Sequence, residues 1–156
     1  MAGKVPPVPT DRPRMSPYLT VNDGAAAIDF YVKAFGAVET DRFAEPNGKV
    51  GHADLKIGDA TFMISDEYPE YGARSPSSLG GSPVMVHLYV EDVDAVFARA
   101  VEAGAKVESP VENQFYGDRG GKLTDPFGHR WWLATRVEEV STEEQHRRAA
   151  ELYGTV

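Results

Sequence analysis

The chain has 156 residues, enough for one domain or two very small fused modules, and a hydrophobic fraction of 42% is sufficient for a buried core. Against 24 acidic residues stand 16 basic ones; the formal charge of −8 argues against a nucleic-acid surface and suits either solubility or a cationic partner. There is no cysteine, so disulfides, thiolate nucleophiles and cysteine-based zinc sites are excluded; with no apolar leader and no long apolar run, a cytoplasmic protein without a membrane partner is expected.

In chain order, residues 1–16 form an arm with Pro6, Pro7, Pro9 and Pro13, followed at once by Pro17, and should be extended. P-Y-L-T-V alternates and is β-rich, which predicts a strand. Asn22 and Asp23 suit a helix N-cap. The helix that follows should carry Ala26, Phe30 and Ala34 on one stripe, with Ile28, Tyr31 and Phe35 beside it, and stop near Gly36. V-E-T-D-R-F-A, a Pro46-Asn47-Gly48 turn, K-V-G-H-A-D-L-K-I, a Gly58-Asp59 hairpin turn and A-T-F-M-I-S complete a β-α-β-β-β module over residues 17–65. Residues 66–83 are a linker rich in Gly, Pro and Ser. Residues 84–136 repeat the order: V-M-V-H-L-Y-V, a helix from about Val93 to Ala103, K-V-E-S-P-V, G-G-K-L-T-D and H-R-W-W-L-A-T. In the tail, 137–156, Ser141 and Glu144 form a capping box that predicts a terminal helix.

The two modules match without a gap. Tyr18 to Glu39 lies over His87 to Glu108 at a constant offset of about 69 residues. Leu19 meets Leu88, Val21 meets Val90, Asp23 meets Asp92, and Val38-Glu39 meets Val107-Glu108. Two copies are too few for a solenoid, so a duplicated, pseudo-symmetric pair is the reading.

A duplicated module with D-P-F-G-H-R-W before its last strand resembles the vicinal oxygen chelate superfamily, which includes glyoxalase I, bleomycin-resistance proteins and extradiol dioxygenases. The phrases G-H-A-D-L-K-I-G-D-A-T-F-M-I-S-D-E, F-Y-G-D-R-G-G-K-L-T-D-P-F-G-H-R-W-W-L-A-T and V-E-E-V-S-T-E-E-Q-H-R-R-A are similar to its PhnB-like members, over roughly residues 17–150. The resemblance implies an α+β fold: two tandem βαβββ modules forming cupped mixed sheets around a cavity, helices on the outer face, and a C-terminal helix. It also implies a homodimer.

Alternation then assigns faces. Leu19, Val21, Leu55, Ile57, Phe62, Ile64, Val86, Leu88, Val90, Trp131 and Leu133 should pack under the helices. Ser16, Tyr18, Thr20, His52, Asp54, Thr61, Met63, Met85, His87, Tyr89, Arg130 and Trp132 should line the cavity, and a one-residue slip would exchange the lists.

Metal-using members of the superfamily place His or Glu on the first and last strand of each module. The resemblance carries those positions onto Ser16, Met63, Met85 and Trp132, which are not a ligand set for a divalent ion. No metal and no cofactor are expected at the usual site. His52 and His87 are catalytic candidates, either as a general base or, with Asp54, as a displaced divalent-metal site; plain hydrogen-bonded histidines are the alternative. His129 should orient its turn, and His146 should be solvated on the tail helix. Arg130 is a third catalytic candidate, able to fork onto a ligand carboxylate or onto Asp54. Asp118 and Arg119 either reach the cavity mouth or form a structural ion pair. Tyr18, Thr20, Met63, Met85, Tyr89, Tyr116 and Trp132 complete the ligand-binding candidates, an aromatic wall with adaptable methionines.

Two functions follow. One is a metal-free protein that binds a small organic molecule, aromatic and of either zero or positive charge, as in sequestration or self-resistance. The other is a lyase, isomerase or oxygenase acting on a small oxygenated substrate by acid–base chemistry or with a displaced metal. A regulatory role with a vestigial cavity has no residue in its favour.

Overall fold

Residues 5–154 are described by a computed structural model. The expectations for residues 1–4 and 155–156 lie outside the described residues. The first module runs β1 (Tyr18–Val21), α1 (Gly24–Phe35), β2 (Val38–Ala44), β3 (Val50–Ile57) and β4 (Ala60–Asp66). The connection is not a plain loop. It carries a 3-10 turn at Pro69–Tyr71 and a one-turn helix, α2 (Pro76–Leu79). The second module runs β5 (Met85–Tyr89), α3 (Val93–Glu102), β6 (Lys106–Asn113), β7 (Asp118–Thr124) and β8 (Arg130–Arg136), and α4 (Thr142–Tyr153) follows.

Each module folds into its own four-stranded sheet, β1-β4-β3-β2 and β5-β8-β7-β6. The first strand of each is parallel to the last, which a crossover helix makes possible; the other pairs are antiparallel. The sequence offset is also the structural symmetry. Tyr18 pairs with Met63 where His87 pairs with Trp132, and Leu19 with Ile64 where Leu88 pairs with Leu133. Asp23 caps α1 by accepting from Ala26 N–H, and Asp92 caps α3 by accepting from Ala95 N–H, both at 3.0 Å.

A second matched device ties each helix start to the end of its last strand. In the first module the buried Asp66 carboxylate accepts from Gly24 N–H at 2.8 Å and Val50 N–H at 2.7 Å. In the second, the Thr135 hydroxyl accepts from Val93 N–H at 2.9 Å and donates to Val90 C=O. Gly24 is held to glycine by space: a Cβ there would stand 2.7 Å from Val50 Cβ and 2.9 Å from Asp66 Oδ2.

The predicted apolar face is the core. Leu19, Val21, Leu55, Phe62, Ile64, Leu88, Trp131 and Leu133 are buried, with Ile57, Val86 and Val90 packed against them. On α1 the stripe differs by one residue: Ala27 is buried and Ala26 is exposed. The buried set 24, 27, 28, 30, 31, 34, 35 follows the i, i+3, i+4, i+7 spacing, which places Ala27 rather than Ala26 beneath the helix.

The modules share this core. The Trp131 ring of β8 lies 4.8 Å from Phe35 and 5.5 Å from Tyr31 on α1, and 6.0 Å from Phe62 on β4. Beneath it, the buried Asp125 carboxylate accepts from the Tyr31 hydroxyl, from Trp131 Nε1, and from the N–H groups of Phe127 and His129. His129 Nε2 donates to the Thr20 carbonyl at 2.8 Å, so it orients its turn, as its sequence position suggests, and also joins the modules.

Candidate functional site

The sheet faces turned away from the core carry the candidate residues, but not around one cavity. Each of the two grooves that hold most of them draws on a single module plus one non-repeated segment. The first, about 390 Å³, lies between β3–β4 and the arm and is lined by Arg12, Arg14, Ser16, Asp54, Lys56, Thr61 and Met63, among others. The second, about 630 Å³, lies between β5, β7 and the tail and is lined by His87, Tyr89, Tyr116, Asp118, Arg136, Glu138, Glu139, Val140 and Gln145. A smaller cleft of about 250 Å³ at the seam draws on both modules, with Met15, Ile57 and Phe62 facing Val86, His87 and Leu88.

Around the first groove the candidates form a chain of close contacts, hydrogen-bonded at Tyr18–His52 and Arg12–Asp54 and a charge-distance contact between His52 and Asp54. The Tyr18 hydroxyl is 2.9 Å from His52 Nδ1; His52 Nε2 is 3.4 Å from an Asp54 oxygen; Arg12 reaches the same oxygen at 3.4 Å. The arm is fastened by Met63 N–H donating to Pro17 C=O at 2.9 Å and by Ser16 bonding Thr61 at 3.0 Å.

In the second groove, the Tyr89 hydroxyl donates to the buried Asp118 carboxylate at 2.7 Å, and the His87 ring stands 4.6 Å from the Tyr89 ring. That acceptor, reinforced by burial, raises the Tyr89 pKa. Burial, followed by the charge of Asp118, raises that of Tyr116. Arg148 reaches from α4 to fork onto Glu138 and holds its carboxyl below the usual range.

Several candidates fall elsewhere. Arg130 does not meet Asp54; it forks onto Glu108 with both contacts at 2.8 Å. Chiefly through that fork, Glu108 is pulled down to about 2. Arg119 forks onto Asp94 at 2.7 and 2.8 Å, tying β7 to the start of α3 rather than pairing with Asp118, which accepts from Tyr89. Neighbours alternate along β7, so Asp118 faces the groove and Arg119 does not. Thr20 contributes its carbonyl to His129, and Met85 sits half-buried at the β5 end beside Arg130. Trp132 is on the expected face but does not line the groove. Its indole lies over β7, where a Cβ on Gly120 would be 3.0 Å from its Nε1, and Lys122 sits 5.7 Å from the ring centre. Its Nε1 is a buried donor without an acceptor.

The metal positions can be tested directly. Ser16, Met63, Met85 and Trp132 do stand on or beside the strands that the resemblance assigns, and they do not fit a divalent ion. His52 and Asp54 belong to the first sheet, whereas His87 stacks on Tyr89 in the second. Among the described residues no group of three His, Cys, Asp or Glu side chains could hold an ion, so the displaced set is not assembled.

A family profile described as the glyoxalase/bleomycin resistance protein/dioxygenase superfamily matches residues 14–133. The chain belongs to this superfamily. An uncharacterized protein of Mycobacterium tuberculosis, Rv0887c, is 53% identical over 135 residues, covering 85% of this chain and 79% of its own. Among solved structures, TioX from Micromonospora sp. ML1 is 28% identical with a TM-score of 0.62, covering 79% of this chain and 98% of its own. A PhnB protein from Bacillus cereus has the same TM-score of 0.62 at 19% identity, covering 79% of this chain and 99% of its own, and shows the fold alone. The superfamily fold accounts for the paired sheets; it does not assign a chemistry.

Sequence reasoning missed Arg136 at the end of β8 and the contributions of the arm and tail: Arg12, Arg14, Glu138, Glu139 and Gln145. For the arginines and glutamates of the arm and tail the only signal was charge in segments outside the repeat, and Gln145 gave none.

Proposed function

We propose that this protein binds a small organic molecule, aromatic and neutral or cationic, without a metal, in the groove of the second sheet. One observation carries the reading: Tyr89 and Tyr116 stand beside the buried Asp118 carboxylate and two tail glutamates in a half-open groove of about 630 Å³. That size is right for a small ligand. Two tyrosine rings offer stacking and cation–π contact, and the carboxylates outnumber Arg136. Sequestration then needs no reacting group.

Tryptophan emission tests this directly. Titration with a panel of aromatic amines, neutral aromatics and aromatic antibiotics should give saturable changes whose affinity weakens at least tenfold in Tyr89→Ala. A flat response across the panel, or an undiminished one in Tyr89→Ala, removes the proposal.

A further inference from the structure

We infer that Tyr18, His52 and Asp54 form a nucleophilic acyl-accepting site on the first sheet, with the Tyr18 oxygen as the attacking atom. It is independent of the groove proposed above for ligand binding. The geometry resembles that of an activated nucleophile: a hydroxyl hydrogen-bonded to a base, with a carboxylate close to the base's other nitrogen. Tyr18 Oη is 2.9 Å from His52 Nδ1, and His52 Nε2 is 3.4 Å from Asp54 Oδ2. The Asp54 carboxylate makes no hydrogen bond to the ring, but its charge 3.4 Å from Nε2 favours the ring proton on that nitrogen, which leaves the Nδ1 lone pair for the Tyr18 proton. Tyr18 is 52% exposed, so its side chain is within reach of a reactant.

The fold does not require this chain of groups. In the second module His87 stands where Tyr18 stands, since they pair with Trp132 and Met63 respectively. Lys122 and Asp54 also hold matching places beside Trp132 and Met63, and two residues earlier Gly120 replaces His52. The same sheet therefore forms with none of the three groups present. Arg12 shares the Asp54 oxygen, and the nearby Arg14 and Lys56 line the adjoining groove. Small acyl compounds, anionic ones included, are the class that this charge accommodates.

The step balances without a cofactor. The Tyr18 oxygen bonds to the carbonyl carbon of an ester while its proton passes to His52 Nδ1. The C=O π pair moves to oxygen. Its return breaks the bond to the leaving alkoxide or phenolate, which takes the proton from His52 or leaves it to solvent. The product is an acyl-tyrosine.

The test uses the intact protein and 4-nitrophenyl acetate, with peptide mass spectrometry to locate each acetyl group over time. Tyr71 and Tyr153 are 85% and 77% exposed and serve as internal references. If exposure alone sets the rate, both should be acetylated before Tyr18. The inference predicts the opposite order, with Tyr18 about 10-fold faster than either. His52→Gln should abolish that lead while His146→Gln, on the tail helix, keeps it. Circular dichroism checks that each variant is folded. A Tyr18 rate at or below that of Tyr71, or a lead that survives His52→Gln, overturns the inference. So does nitrogen-15 NMR that places the His52 proton on Nδ1. Tryptophan titration of the second groove is unaffected by any of these outcomes.

Discussion

Removal of the Asp125 carboxylate should be among the most damaging single changes in the protein. Asp125 is 3% exposed and accepts four hydrogen bonds: from Tyr31, from Trp131 Nε1 at 2.9 Å, and from Phe127 and His129 N–H at 2.9 and 3.0 Å. Bonds to a charged acceptor contribute roughly 1.5–3 kcal/mol each. Against that gross gain stands the desolvation of a buried carboxylate, several kcal/mol. The net is about 3–5 kcal/mol, also the usual cost of breaking a buried charged set from one side. Asp125→Ala should lose that amount in equilibrium urea unfolding followed by tryptophan emission and circular dichroism. At a urea slope of about 1.5 kcal/mol/M the midpoint should fall by about 2–3 M. Tyr31→Phe alone should cost about 1–2 kcal/mol, and the double variant should be sub-additive, because the two groups touch. A loss below about 1 kcal/mol for Asp125→Ala, or strict additivity, would refute the network as the link between modules.

Other outcomes follow from the same geometry. Gly24→Ala should gain up to about 1 kcal/mol in helix propensity, yet the 2.7 Å approach to Val50 Cβ and the 2.9 Å approach to Asp66 should outweigh it. A net loss of about 1–3 kcal/mol is expected by urea melt, and a more stable variant would contradict it. Tyr31 is buried and its pKa is raised, first by burial and then by the charge of Asp125. A raised folded pKa means that stability is intact below about 10, the ordinary tyrosine value, and is lost as pH climbs beyond it. Melting temperature should therefore fall steeply above that pH, and Tyr31→Phe should flatten the fall. Trp131→Ala should cost about 3–5 kcal/mol as a core truncation, and Trp132→Ala markedly less. The reverse order would mean that the β8 register is off by one residue.

Fold and register were legible because two signals agreed. The offset between the modules and the period-2 alternation both place Leu19, Phe62, Leu88 and Trp131 on one face, and all four are buried. Asp23, Gly36 and Ser141 marked helix ends through local chemistry that needs no tertiary context. The candidate site was legible by face but not by partner. Alternation puts Arg130 on the open face, but only the folded chain shows Glu108 already occupying its fork. Tyr18 and His52 lie 34 residues apart, and only the β1-β4-β3 order brings the tyrosine to the histidine. Trp132 folding down over Gly120 depends on a missing side chain, which periodicity does not register.

The arm and the tail give the two grooves their characters. The duplicated sheets are near copies, whereas Arg12 and Arg14 come from one terminal segment and Glu138 and Glu139 from the other. Neither segment contributes to the shared core. The charge that lines each groove can thus change at the chain ends, one groove at a time, without altering the packing of the paired interior.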